Sequence, residues 1–148
     1  KLGLTFSVNN IIGFPDETRE LAFDTIELNR RFNSDNTSCS ILVPFHGTEL
    51  HAYAVEKGYL DPNVICAISN SGESLLNMPQ WDKKDMTRLR DVFAMYIKFP
   101  KDRWPEIKRA ETDDKLRYKL REEFVKTYWS DSTAKIEDDI AEAAKGLF

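Results

Sequence analysis

Only two cysteines and two histidines occur among 148 residues, and that scarcity removes several kinds of protein at once. Cys39 and Cys66 could form a single disulfide, but nothing else suggests a secreted, stapled scaffold, so the expectation is a cytoplasmic chain with both thiols reduced. They lack C-x-x-C spacing and a thiol-activating neighbour in sequence, and read as core filling. His46 and His51 are five apart, whereas a metal pair on a helix is best spaced i, i+4 with a third ligand near. Glu49 is close, yet the set is a weak metal constellation. Basic residues are not in excess either: 21 Lys+Arg face 25 Asp+Glu, a net charge of −4, which argues against a nucleic-acid footprint. No apolar run approaches the roughly 20 residues of a membrane-spanning helix. The opening KLGLTFSV has one positive residue and no small-residue cleavage site, so it does not read as a signal peptide. Also missing are the G-x-S-x-G elbow, the G-x-x-x-x-G-K-[ST] loop and G-x-G-x-x-G, so neither a serine nucleophile nor a phosphate cradle is supported.

What is present begins with strand-like residues almost directly after Lys1, without a Met, and reads as a fragment whose N-terminal part is missing. Residues 4–12, LTFSVNNII, form the first expected strand. Alternation places Ser7, Asn9 and Ile11 on one face and Phe6, Val8, Asn10 and Ile12 on the other, so one face is polar enough to meet a ligand or a polar core. Gly13 ends the strand, Pro15 suits an early helical position, and Asp16 or Thr18 can cap the helix. Leu21, Thr25, Leu28 and Phe32, widened by Ala22 and Ile26, predict an amphipathic helix to about Phe32. Residues 37–45, TSCSILVPF, give a second strand ended by Pro44, and a second helix follows with Thr48 as N-cap and Gly58 past its end.

After Gly58 comes a long connection with turn signals, then a helix over 82–99 stopped by Pro100. A bend is expected at Trp104-Pro105, a helix marked by Leu116, Leu120, Phe124 and Tyr128, and an acidic helix over 134–145. The charge runs Lys83-Lys84-Asp85 and Glu137-Asp138-Asp139 read as solvated faces, and the Trp and Phe residues of this half as core. The order is β-α-β-α, implying two parallel strands joined by a right-handed crossover. Two strands are too few for a stable parallel sheet, so residues 1–60 read as the last part of a larger sheet or barrel and residues 61–148 as a helical C-terminal extension.

Chemistry concentrates at the two strand ends, Asn9 to Glu17 and Val43 to Thr48. Glycine at the first allows close backbone approach. Backbone groups at a strand's carboxyl edge can read the rim of a planar base, with Ile11 and Val43 pressing on its faces. An ordinary βα turn with capping acids explains the same residues.

IIGFPDET, then SILVPFHGTEL and KGYL, resembles the end of a radical S-adenosylmethionine (SAM) enzyme barrel, closest to the class with a cobalamin-binding domain in front. The likeness covers about residues 4–60, is looser from LLNMPQW through YIKFPKDRWPEIKRAE, and ends near residue 111. It implies the last two β/α units of a partial parallel (β/α) barrel, with the two patterns on its fifth and sixth strands. Carried onto this chain, it implies a cofactor-binding set at the adenine side of SAM: Asn9 where the family often has glycine, Ile11 against adenine, Gly13 and Pro15 in the close turn, and the family's acid on Asp16 or Glu17, the GxPxET form favouring Glu17 as a brace of that turn, with Val43, Pro44 and Phe45 from the next strand. His46 stands where a proline is common. The family's C-x-x-x-C-x-x-C loop, which holds a [4Fe–4S] cluster, is absent, and two scattered cysteines do not replace it.

No catalytic residue and no metal ligand are therefore expected in this chain, which alone is not expected to be active. For the intact protein the resemblance implies reductive cleavage of SAM to a 5′-deoxyadenosyl radical, a reductant such as flavodoxin or ferredoxin, and, where cobalamin is carried, methyl transfer or cyclisation. The substrate is not legible. Two other classes share these elements: a non-catalytic α/β interaction module with a partner-docking helical tail, favoured if Trp81, Phe93, Trp104 and Trp129 were exposed together, and another barrel or doubly wound enzyme with the same turn.

Overall fold

The computed structural model describes residues 6–32, 34–65 and 72–129; the first residues of the expected opening strand, Cys66 and the acidic helix expected over 134–145 lie outside them. The chain is mixed α/β. Strand β1 (Ser7–Ile12) is followed by α1 (Arg19–Phe32), β2 (Asn36–Ile41) and α2 (Glu49–Glu56). Then come α3 (Lys83–Lys98), a 3-10 turn at Lys101–Arg103, α4 (Trp104–Ala110), α5 (Asp114–Phe124) and a π turn at Val125–Trp129.

The strands pair in parallel, with Ser7 opposite Asn36, Asn9 opposite Ser38, Ile11 opposite Ser40 and Ile12 opposite Ile41. The two-residue period divides this sheet into unlike faces. Asn10, Ile12, Thr37 and Ile41 are buried beneath the helices, while Ser7, Asn9, Ile11, Asn36, Ser38 and Ser40 are exposed. The two asparagines thus lie on opposite faces. Asn10 belongs to a polar core: its Nδ2 donates to Thr37 Oγ1 at 3.2 Å and to the Ser38 carbonyl at 3.0 Å, and Asn29 Nδ2 donates back to Asn10 Oδ1 at 2.7 Å. Asn9 lies on the open face, where its Oδ1 accepts from Ser38 Oγ at 2.7 Å.

The helix expected to Phe32 forms, but a different stripe of it is buried. Ala22, Ile26 and Asn29 face inward, whereas Leu21, Leu28 and Phe32 are each about half exposed. The inward face is chosen by the polar pair Asn10–Asn29 and by small Ala22, which let α1 lie close to α3 and the sheet; hydrophobicity alone points to the wrong side. α3 is the helix that lies across β2 and beside α1. It is capped by Asp82, whose carboxylate accepts from the Lys84 and Asp85 amides, and it buries Met86, Leu89, Val92, Phe93, Met95, Tyr96 and Ile97.

Trp104-Pro105 starts a helix instead of a bend, because proline at the first helical turn gives up an amide that has no partner there anyway. Phe23, Tyr96 and Trp104 meet edge to face at centroid distances of 5.0–5.6 Å, joining α1, α3 and α4. Arg30 Nη1 donates to the carbonyls of Tyr96, Ile97 and Phe99 at 2.7–2.8 Å, closing the C-terminal end of α3. Arg19 bridges Asp85 at 2.9 Å and the fully buried Glu111 at 2.7 Å, and the Tyr96 hydroxyl also donates to Glu111 at 2.6 Å. Of the tail aromatics, Trp81 and Phe93 are buried and Trp104 is half-buried; the Trp129 side chain lies outside the description. Among the described residues no helix is long and apolar enough to cross a membrane.

Candidate functional site

Both strands deliver their carboxyl ends to the same side of the molecule, and the turns there are built differently. After β1 the chain makes a four-residue turn in which the Glu17 amide donates to the Phe14 carbonyl at 3.0 Å. Pro15 supplies the fixed φ of the second position. Asp16 takes the third with φ of 65°, the positive value that a type II turn demands there. Asp16 is therefore not the helix cap; Thr18 Oγ1 accepts from the Leu21 amide at 3.4 Å in that place. Gly13 has φ of 85°, and a side chain on it would meet Met86 Sδ at 3.1 Å. Its missing Cβ thus makes room for a core methionine of α3.

Glu17 closes the turn from within. Its carboxylate accepts from the Gly13 amide at 2.5 Å and the Phe14 amide at 2.9 Å. Burial nonetheless raises its pKa above the usual 4.5, since the two amide bonds oppose that shift without overcoming it. Asp16, one residue before, moves the other way: hydroxyl donors from Tyr53 and Tyr59 lower its pKa below the usual 3.8.

After β2, residues 42–48 run without regular structure to α2. Thr48 sets the helix start: its Oγ1 accepts from the His51 amide at 3.2 Å and donates to the Phe45 carbonyl at 2.7 Å. This fold-back also brings His46 onto His51, with ring centroids 4.2 Å apart, a contact that their spacing on a helix does not suggest. No group of three or more His, Cys, Asp or Glu suited to a metal ion occurs among the described residues. Cys39 carries a free thiol, and burial pushes its pKa up to about 12, so it stays protonated and is a poor metal ligand.

Between the strand ends lies an open, mainly apolar cleft of about 450 Å³, lined by Ile11, Ile41, Leu42, Val43, Pro44, Phe45, Thr48 and Leu50. That volume falls in the range of small-molecule sites. The cleft gathers Ile11, Val43, Pro44 and Phe45 of the residues singled out in the sequence. Ile11 and Phe45 are each about half exposed at its rim. Asn9 lies one step down the same open face, opposite Ser38. Gly13, Pro15 and Glu17 form the neighbouring turn and do not line the cleft. In the sequence Thr48 reads as a helix cap at the end of the Val43–Thr48 stretch, and Leu50 was not foreseen as lining. The Asp16–Tyr53–Tyr59 contacts were also missed, because residues 37 and 43 positions apart leave no local pattern.

No family model matches the sequence, and no solved structure matches it. The chain is 40% identical over 60 residues to an uncharacterized methyltransferase of Pyrococcus horikoshii, a match covering 40% of this chain. The chain spans 13% of the length of that archaeal protein.

Proposed function

We propose that this chain is the C-terminal part of a radical SAM enzyme, and that the cleft at the two strand ends forms the adenine side of its SAM site. The observation that carries this reading is the convergence of Ile11 from β1 and Val43, Pro44 and Phe45 from the loop after β2, where the expected second strand stops short at Ile41, on one open apolar cleft. Adenine has two apolar faces and a polar rim, so apolar side chains beside strand-end backbone suit it. Ile11 and Val43 would press on the ring, and Pro44 and Phe45 would close its side. Glu17, held on the Gly13 and Phe14 amides, keeps the turn beside it in one shape and does not touch the ligand. Asn9 offers its amide to what lies over the open face.

The relative described as a methyltransferase is compatible with SAM-related chemistry. The unlike faces of the sheet support a place in a larger partial barrel, with residues 1–60 as its last two β/α units and 61–148 as the C-terminal extension. In that arrangement the exposed Ser/Asn face lines the lumen, and the uncovered Leu21, Leu28 and Phe32 stripe of α1 meets the preceding unit.

The described residues do not fit a [4Fe–4S] cluster, because Cys39 is a single, half-buried thiol. The cluster's ligands belong to sequence ahead of this chain, as does any cobalamin domain. When bound, the cluster and SAM supply reductive cleavage of SAM, with cobalamin adding methyl transfer or cyclisation. This chain contributes binding, orientation and exclusion of water. A cytoplasmic setting with a flavodoxin or ferredoxin reductant completes the proposal. The reading with a partner-docking aromatic tail has no support from Trp81 and Phe93, which are buried.

The test uses the full-length protein, purified without oxygen, reduced and given SAM. The expected result is 5′-deoxyadenosine and methionine, together with a C-x-x-x-C-x-x-C loop in the upstream sequence. An upstream region without those cysteines, or a reduced protein that leaves SAM intact, would overturn it.

A further inference from the structure

α2 is weakly held for an element that forms a wall. Of its side chains only Ala54 is buried, and its packing against the strands and the other helices is slight. Yet Thr48 at its N-terminus and Leu50 in its first turn line the apolar cleft. Besides the packing of Ala54, Leu50 and Val55 on the core, one carboxylate ties α2 to the β1–α1 turn. Asp16 accepts from the Tyr53 hydroxyl of α2 on Oδ2, and from the hydroxyl of Tyr59, just past that helix, on Oδ1 at 2.8 Å. Lys57 lies beside the same group, its ammonium 5.3 Å from the centre of the Tyr53 ring.

Asp16 also holds the only positive φ among the described non-glycine residues. Glycine would suit that φ better. A carboxylate kept in a backbone conformation that glycine prefers, with both oxygens used on the next βα segment, has the geometry of a clamp.

We infer that Asp16 is a positioning residue which, through Tyr53 and Tyr59, fixes α2 against the β1–α1 turn and so sets the width of the cleft in which the ligand's planar ring lies. The inference rests on the reading of that cleft as an adenine site. Asp16 itself touches no ligand: it works by keeping Thr48 and Leu50 at a fixed distance from Ile11. Removing the carboxylate releases the wall, so ligand affinity falls while the core built on α1, α3 and the sheet stays intact.

The experiment compares full-length protein with Asp16→Gly, Asp16→Asn and Tyr59→Phe, reading hydrogen exchange by peptide and the affinity for S-adenosylhomocysteine. Glycine accommodates the φ of 65°, so the first variant removes the carboxylate without adding backbone strain. Asp16→Gly is expected to speed exchange in residues 49–60 by about tenfold, with α3 unchanged, since local opening is governed by local contacts. Its affinity for S-adenosylhomocysteine should fall by about tenfold, the same free-energy change read at the cleft. Asp16→Asn keeps an acceptor and tolerates the turn, and should restore part of both; Tyr59→Phe should give a partial loss. Unchanged exchange in 49–60, exchange faster throughout α1 and α3, or a loosened α2 with unaltered affinity would each overturn the clamp. Failure of the unsubstituted protein to bind S-adenosylhomocysteine would instead count against the adenine reading, and exchange in 49–60 would then decide the clamp alone.

Discussion

At the residue scale, the turn after β1 places two adjacent carboxyls in opposite surroundings. Asp16 has its pKa lowered by tyrosine hydroxyls, and Glu17 has its pKa raised by burial. As pH falls from neutrality, Glu17 takes its proton above 4.5. A raised acid pKa means the folded state holds that proton more tightly, so this step favours folding. Asp16 takes its proton last, below 3.8, and its contribution, present above that value, is lost as pH falls through the lowered pKa. Carboxyl titration followed by NMR should give this order, Glu17 first and Asp16 second. Gly13→Ala should destabilise by about 2 kcal/mol in denaturant unfolding, because a positive φ is strained for alanine. Asn29→Ala should cost about 2 kcal/mol by leaving the Asn10 amide short of a partner in a buried setting. The strand alternation made one polar face legible in the sequence, but not which asparagine faces the core. That choice depends on Asn29 and Thr37, far along the chain.

At the scale of elements, sequence periodicity located the helices better than it chose their faces. The α3 pattern and the Thr48 cap agree with the structure, since the first is a long run of consistent spacing and the second a local hydrogen bond. α1 offers two stripes, and tertiary packing selects the less hydrophobic one. Thermal unfolding separates them: Ile26→Ala should cost about 3 kcal/mol as a core truncation, whereas Leu28→Lys should change the stability of this chain by less than about 0.5 kcal/mol. Arg19 joins α1 to α3 and to the end of α4 through Asp85 and Glu111. Arg19→Met leaves the buried Glu111 carboxylate with Lys108 and the Tyr96 hydroxyl, and should cost about 2 kcal/mol in the same measurement. The Trp104-Pro105 pair shows the limit of turn signals, as proline both breaks helices and begins them.

For the whole molecule, four of the eight residues marked in the sequence meet in one cleft, Gly13, Pro15 and Glu17 build the turn beside it, and Asn9 lies on the open face of β1. The first group is contiguous or lies at matched strand ends, so strand order alone brings it together. The wall formed by α2, and the carboxylate that holds it, depend on long-range contacts that a linear pattern does not carry. The central claim is that this cleft receives adenine. It is tested most directly by photolabelling the full-length protein with an azido-adenine analogue of SAM and mapping the modified peptides. The account predicts label on the segments around Ile11 and residues 41–50, competed away by SAM and reduced by Val43→Asp. Competed label found only elsewhere, with these two segments unmodified, would contradict it.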